Sequence, residues 1–334
     1  MITRRTGKLR LFHKADFHTE APRAYMLCGW RTYSEIPLTG VATLVDDAVK
    51  NADIMIKVMT GHSPIAKSMG RFAFQHTTEC SLISLKDVAD FEIRGGRQIR
   101  IWPAEGATQK DIEIFLFGPA WATLCHQRGL LPLHASAVVT GTDITAFAGH
   151  SGTGKSTIAA LLNSIGFELI TDDILPVSFN QNSIPGAWPY LRRLKLHRDP
   201  ITQFTFTPTE VVSETLDKDK YFVSPQSTSY DRWRRLRRLY FIENGVNDSD
   251  LLIEQITGAE AVRSLVAHTK LFNFIFDTRR FGEHLACCSQ LASKILIHRL
   301  RRPPNDAGDK IHALIRMHLE STENAGTQAI LDDE

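Results

Sequence analysis

Gly149-His150-Ser151-Gly152-Thr153-Gly154-Lys155-Ser156 (GHSGTGKS) is the stretch on which the fold reading turns. It matches G-x-x-x-x-G-K-[ST] without a gap. Glycines at these places let the backbone curl until successive N–H groups point at phosphate oxygens. A helix opening at Lys155 presents its positive N-terminal end to the same anion. Lys155 can reach the β- and γ-phosphates, and the Ser156 hydroxyl can ligate Mg²⁺. His150 and Thr157, within and beside the loop, are further candidates for nucleotide contact. Four fixed positions match by chance somewhere in a chain of this length with a probability on the order of one in a hundred.

The flanks agree with the motif. Ile144 to Ala148 is a buried-type strand run, and Ala135 to Val139 is another, joined by a turn at Gly141-Thr142-Asp143. Lys155 to Ser164 carries Ala and Leu at helical spacing and closes at Gly166, a C′-type glycine. Phe167 to Thr171 reads as the next strand and runs into Asp172-Asp173. In a strand–loop–helix–strand unit that strand end lies at the sheet edge that carries the phosphate loop. Two carboxylates there have two jobs open to them. One can hold Mg²⁺, directly or through water. The other can accept the proton of an attacking hydroxyl. Asp172 is read as the base, and Ser156, Asp172 and Asp173 as the candidate metal ligands.

Further out, Ala42 to Val45, Asp53 to Val58, Phe72 to Phe74, Cys80 to Leu85, Phe91 to Arg94 and Gln98 to Trp102 read as strands. Gly95-Gly96 reads as a hairpin turn. Asp111 to Cys125 reads as one helix ending before Arg128-Gly129. Leu191 to Leu196 and Leu236 to Glu243 read as later strands, and Ala259 to Val266 and Glu283 to Leu296 as helices. The expectation is an α/β chain in which a smaller strand-rich α+β domain (1–127) precedes a phosphate-loop domain (128–310) and a polar tail (311–334).

Three blocks, His134-Ala135-Ser136-Ala137, the glycine loop and Leu169-Ile170-Thr171-Asp172-Asp173, together resemble the catalytic domain of bacterial HPr kinase/phosphorylase over roughly residues 128 to 300. The resemblance implies a phosphoenolpyruvate-carboxykinase-like nucleotide fold. It also implies transfer of a phosphoryl group from ATP, with Mg²⁺, to a serine hydroxyl. It makes His134 a support for Asp172. It calls for a cation after the aspartates, for which Arg192, Arg193 and Lys195 compete and Arg193 is named catalytic with Asp172, His134 and Lys155. Tyr25 to Leu38 (YMLCGWRTYSEIPL) is similar to the opening of divergent HPr-kinase-like proteins found with peptide-modifying systems, among them kinases of lasso-peptide precursors. A peptide or small protein with an acceptor serine is the expected partner. A kinase of a small hydroxyl metabolite and a nucleotide-gated switch are the rival readings.

Composition narrows the rest. The formal net charge is +2 over 334 residues, which does not announce a nucleic-acid binder. The Arg232–Arg238 tract reads as a docking patch or as an edge whose arginines pair with carboxylates, and Arg279-Arg280 and Arg299 to Arg302 read the same way. Five cysteines form no C-x-x-C or Cys/His metal pattern and fit a reducing compartment. The opening MITRRTGKLRLFHK holds no signal-type apolar run, and no stretch nears ~18 apolar residues, so a cytoplasmic, non-membrane protein is expected. A homo-oligomer is left open.

Overall fold

The structure is a computed structural model. It describes residues 23–44, 51–64, 71–76, 80–213, 217–228, 232–245, 251–271, 278–303, 311 and 313–319. The chain opens with β1 (Arg23–Leu27) and β2 (Trp30–Ser34), joined at Cys28-Gly29. Both turn residues have positive φ, 53° and 76°, as a two-residue hairpin with matching twist requires. There follow β3 (Ala42–Thr43), β4 (Ile54–Val58), β5 (Phe72–His76), β6 (Cys80–Leu85), β7 (Ala89–Arg94) and β8 (Gln98–Pro103). Together they form one eight-stranded sheet in the order β3-β1-β2-β4-β8-β7-β6-β5. Val45, at the end of one expected strand, lies outside the described residues.

The expected single helix over Asp111 to Cys125 is three pieces. α1 (Gln109–Phe115) is capped by Thr108, whose side chain accepts from the Asp111 amide. A π-helical stretch, Leu116–Ala120, contains Pro119, and α2 (Trp121–Gln127) completes the segment. Proline lacks the amide that the α ladder needs, so the register widens there.

The second half is built on a nine-stranded sheet. β9 (Leu131–Leu133), β10 (Ala135–Thr140) and β11 (Asp143–Gly149) lead into the loop and α3 (Lys155–Ser164). β12 (Leu169–Asp172), β13 (Leu175–Phe179) and β14 (Pro185–Ala187) follow. β15 (Leu194–His197), the short helix α4 (Arg198–Gln203), β16 (Pro208–Ser213) and β17 (Asp217–Val223) form a separate three-stranded ribbon. β18 (Arg234–Asn244), β19 (Leu252–Gln255), α5 (Gly258–Ala267), α6 (Thr278–Ala292) and β20 (Leu296–Arg302) end the series. The helix expected to run to Leu296 stops at Ala292, and after a short turn the Leu296-Ile297 pair opens a strand.

Sheet order puts the chemistry on one edge. β10 lies antiparallel to both β11 and β12, so β11 and β12 run the same way and end together. β18 runs parallel to β11, and β20 parallel to β18, so their C-terminal ends arrive there too. Three buried clusters hold the molecule. The first contains the N-terminal sheet with α1 and α2, and also takes in Ile174, Tyr190 and Leu191. The second lies between the large sheet and α5 and α6, and the third around α3 and the ribbon. Ile311, Ile315 and Leu319, expected in a polar tail, are buried in the third cluster; residues 320–334 lie outside the described residues. Among the described residues no helix is long and apolar enough to cross a membrane.

Candidate active site

β11 is buried along nearly its whole length, an apolar run that ends in glycine because nothing larger fits. A Cβ on Gly149 would lie 2.7 Å from the Ile242 carbonyl oxygen. Gly152 and Gly154 have φ of 85° and 95°, which a side chain disfavours. A Cβ on Gly154 would also meet the Arg302 guanidinium, which donates to the Thr153 carbonyl at 3.1 Å. No side chain caps α3, so its first amides remain available to an anion in the loop. Lys155 Nζ donates to the Gly149 and His150 carbonyls, both at 2.9 Å. Burial lowers its pKa, and Asp172 and Asp173 oppose that.

The two aspartates meet different surroundings. Asp172, 3% exposed, accepts from Ser136 Oγ (2.6 Å) and Ser156 Oγ (2.7 Å) on Oδ1, and from the Lys195 amide (2.9 Å) on Oδ2. Burial pushes its carboxyl above the usual range, against those three donors. Asp173 turns to the cavity with φ of 135°, a conformation that costs a non-glycine residue on the order of 1–3 kcal/mol. Lys270 Nζ lies 2.8 Å from its Oδ1 and Lys195 Nζ 3.2 Å from its Oδ2. Burial would raise this carboxyl, but the Lys270 and Lys195 ammonium groups outweigh it and hold it well below the usual range.

Loop and carboxylates face a shared cavity of about 530 Å³. Ser151, Gly152, Gly154, Lys155, Ser156 and Thr157 line it from one side; His134, Ser136, Asp172 and Asp173 line it from the sheet edge. Thr153 turns inward and donates from Oγ1 to the His150 carbonyl. His150 is exposed, its ring 5.2 Å from that of His268.

Two expectations need correction. His134 does not support Asp172; its Nε2 lies 3.6 Å from Asp173 Oδ1. Burial, aided by Lys270, lowers its pKa to about 3, so the imidazole is neutral. Arg193 does not meet the cavity. It is 5% exposed, pairs with Glu113 at 3.3 Å, and stacks on the Phe222 ring at 4.0 Å. Strand alternation cannot link it to Lys195, because β15 begins only at Leu194. Of the three candidates, Lys195 is the one that lines the cavity, with Nζ 3.2 Å from Asp173.

Lys220, His197 and Lys270 also line the cavity and were not singled out from sequence. Lys220 and His197 are cross-strand partners in the ribbon, a pairing with no local signature. Lys270 follows α5 by three residues and lies outside any motif. The arginine tract divides: Arg234 and Arg238 are buried on β18 while Arg232 and Arg235 are exposed, and Arg234 pairs with Glu168 and Arg237 with Asp143. Arg299 is held by Glu243, Glu254 and Glu260.

The donor set fits the groups that the loop implies. Ser156 Oγ and Asp172 are hard oxygen donors at the loop mouth, the kind Mg²⁺ takes alongside water and phosphate oxygens. The positive-φ glycines Gly152 and Gly154 and the uncapped N-terminus of α3, on the wall of the cavity, fit a triphosphate cradle. Among the described residues no cluster of three or more His, Cys, Asp or Glu side chains offers an all-protein metal cage.

No protein-family model and no curated protein matches the chain. Among solved structures it aligns with the HPr(Ser) kinase/phosphatase from Coxiella burnetii. The alignment covers 61% of this chain and 99% of that one, at 12% identity and a TM-score of 0.32. So distant a likeness carries no functional weight here.

Proposed function

We propose that the chain is a phosphotransferase that uses ATP and Mg²⁺ and delivers the γ-phosphoryl group to a serine hydroxyl of a peptide or small protein, a lasso-peptide precursor being one candidate. One observation carries the reading: Ser156 is hydrogen-bonded to Asp172 at the mouth of an anion nest, with Asp173 across the same cavity. The loop amides and Lys155 bind the phosphates. Ser156 and Asp172 hold Mg²⁺, which neutralises charge on the phosphate oxygens. Asp172 is 3% exposed and fixed by three donors, whereas the Asp173 side chain keeps 19% of its surface open on the cavity wall, so the proton of the acceptor hydroxyl goes to Asp173. The base role therefore moves one residue along from the sequence-based assignment. Lys195 and Lys270 keep Asp173 ionised and stand beside the path of the moving group. The peptide acceptor rests on the resemblance of the loop, of His134 to Ala137, of the Asp-Asp strand and of Tyr25 to Leu38.

The test is transfer from ATP labelled at the γ-phosphate, offered a peptide and small-protein pool, a panel of hydroxyl metabolites, or no acceptor. Label on a serine, absent with Lys155→Ala, supports the reading. Label on a metabolite replaces the acceptor class. Nucleotide binding with no transfer to anything replaces the enzyme by a switch.

A further inference from the structure

Asp173 is held from two sides, and both holds trace back to the helical segment of the N-terminal half. On one side, Glu113 of α1 is 3% exposed and fully engaged. It accepts from Thr39 Oγ1 (3.0 Å), Gln109 Nε2 (2.9 Å) and Arg193 Nη1 (3.3 Å). Arg193 is wedged between the Phe222 and Phe117 rings. Neighbouring contacts fix the same stretch. The Tyr190 hydroxyl donates to the Phe117 carbonyl, and the Arg192 amide donates to the Gly40 carbonyl. Two residues past Arg193, Lys195 touches both aspartates, through its amide to Asp172 and through Nζ to Asp173.

On the other side, His126 of α2 lies with Nε2 2.9 Å from the Lys270 carbonyl. A carbonyl only accepts, so the imidazole donates through Nε2–H. The Lys270 amide donates to the Pro132 carbonyl at 2.8 Å, and Nζ reaches Asp173. α1 and α2 flank the π-helical stretch at Pro119, and such irregular turns recur where a helix must aim side chains.

We propose that the Glu113–Arg193 pair and the His126–Lys270 hydrogen bond are positioning contacts that set Lys195 and Lys270 on the two oxygens of Asp173, so that α1 and α2 belong to the phosphoryl-transfer apparatus. This deepens the phosphotransferase reading and rests on it. A buried pair isolates its geometry from solvent, and removing both partners together avoids stranding a charge. Lys155 donates its hydrogen bonds within the loop, to the Gly149 and His150 carbonyls, so the nucleotide site keeps its affinity when the positioning pairs are lost.

The experiment uses the full chain in three variants: the double Glu113→Gln, Arg193→Met; His126→Phe; and His126→Asn, whose amide can still donate to the Lys270 carbonyl. Acylation of each lysine by acetic anhydride is followed by mass spectrometry, with thermal midpoints measured alongside. The double variant should raise Lys195 labelling alone, and His126→Phe that of Lys270 alone, each several-fold, as an amine released from its carboxylate partner becomes open to the reagent. Lys155 should not change, and His126→Asn should restore most of the protection. In residual MgATP hydrolysis, with water as acceptor, kcat should fall and KM for ATP should hold. Unchanged Lys195 and Lys270 labelling, or a rise shared by Lys155 in every variant, overturns the proposal. A wild-type protein that binds ATP and transfers phosphate to no acceptor, water included, overturns the phosphotransferase reading alone, because labelling is read without turnover.

Discussion

At the scale of single residues, the difference between Asp172 and Asp173 is one of neighbours. Asp172 meets two hydroxyls and a backbone amide, the donors that fix a carboxylate in place. Asp173 meets two ammonium groups, which keep it charged while leaving it on the cavity wall. Replacing Asp173 with Asn should therefore lower transfer by roughly 10²–10⁴-fold with ATP affinity nearly unchanged. Asp172→Asn should instead raise the Mg²⁺ concentration needed for half-maximal rate and weaken MgATP binding. Transfer assays over a Mg²⁺ series, with calorimetric ATP titrations, separate the two; the reverse pattern returns the base role to Asp172. Lys155→Ala removes the loop's ammonium group, whose Nζ lies at the Gly149 and His150 carbonyls. It should abolish transfer and weaken ATP by on the order of tenfold or more, while circular dichroism shows the fold retained. The histidine at 134 was legible as a site residue from its block. Its true partner was not, because strand register, not sequence adjacency, decides which carboxylate it faces.

Elements around the loop were legible for a plain reason. β10, β11 and α3 are buried on nearly all sides, so apolar runs and a glycine turn describe them completely. The strand ending in Asp-Asp was legible for the same reason. From Leu175 to Val223 the pattern is broken by Pro176, Pro185, Pro189, Pro200 and Pro208, and short strands there take their pairing from distant partners. That is where Arg193 was misplaced and Lys220 overlooked. Hairpin β1–β2 was missed because its turn is Cys28-Gly29 rather than Asn-Gly, though the alternation on either side was present. Close approach of elements also yields a test. A Cβ on Gly186 would run into the Arg234 carbonyl and the Trp233 ring, because β14 lies hard against β18. Gly186→Ala should destabilise the protein by about 1–3 kcal/mol, read as a lower urea midpoint at unchanged slope. A midpoint equal to wild type would mean that β14 and β18 pass further apart.

Across the whole molecule, three histidines report on folding together: His126 and His284, whose rings lie 6.1 Å apart, and His298. His126 sits on α2, His284 on α6 and His298 on β20. Burial lowers the pKa of each to about 4, against an ordinary value of 6.5. The folded state resists protonation at these rings, while the unfolded chain takes up protons freely below 6.5. Their contribution is therefore complete above pH 6.5 and is lost as the pH falls from there to about 4, below which it changes no further. Asp173, held low, contributes stability that is lost only below the ordinary carboxylate range, whereas Asp172, held high, is relieved as the pH falls through the range above it and so opposes the imidazoles. A fall in thermal midpoint between pH 6.5 and 4.5 thus belongs to the imidazoles. It should amount to roughly 5–10 °C for a chain of this size, followed by calorimetry at constant ionic strength. Replacing His284 and His298 together with Leu should flatten that slope without altering the behaviour below pH 4. If the wild-type midpoint stays level across the window, those rings are already protonated, or solvated, in the native state.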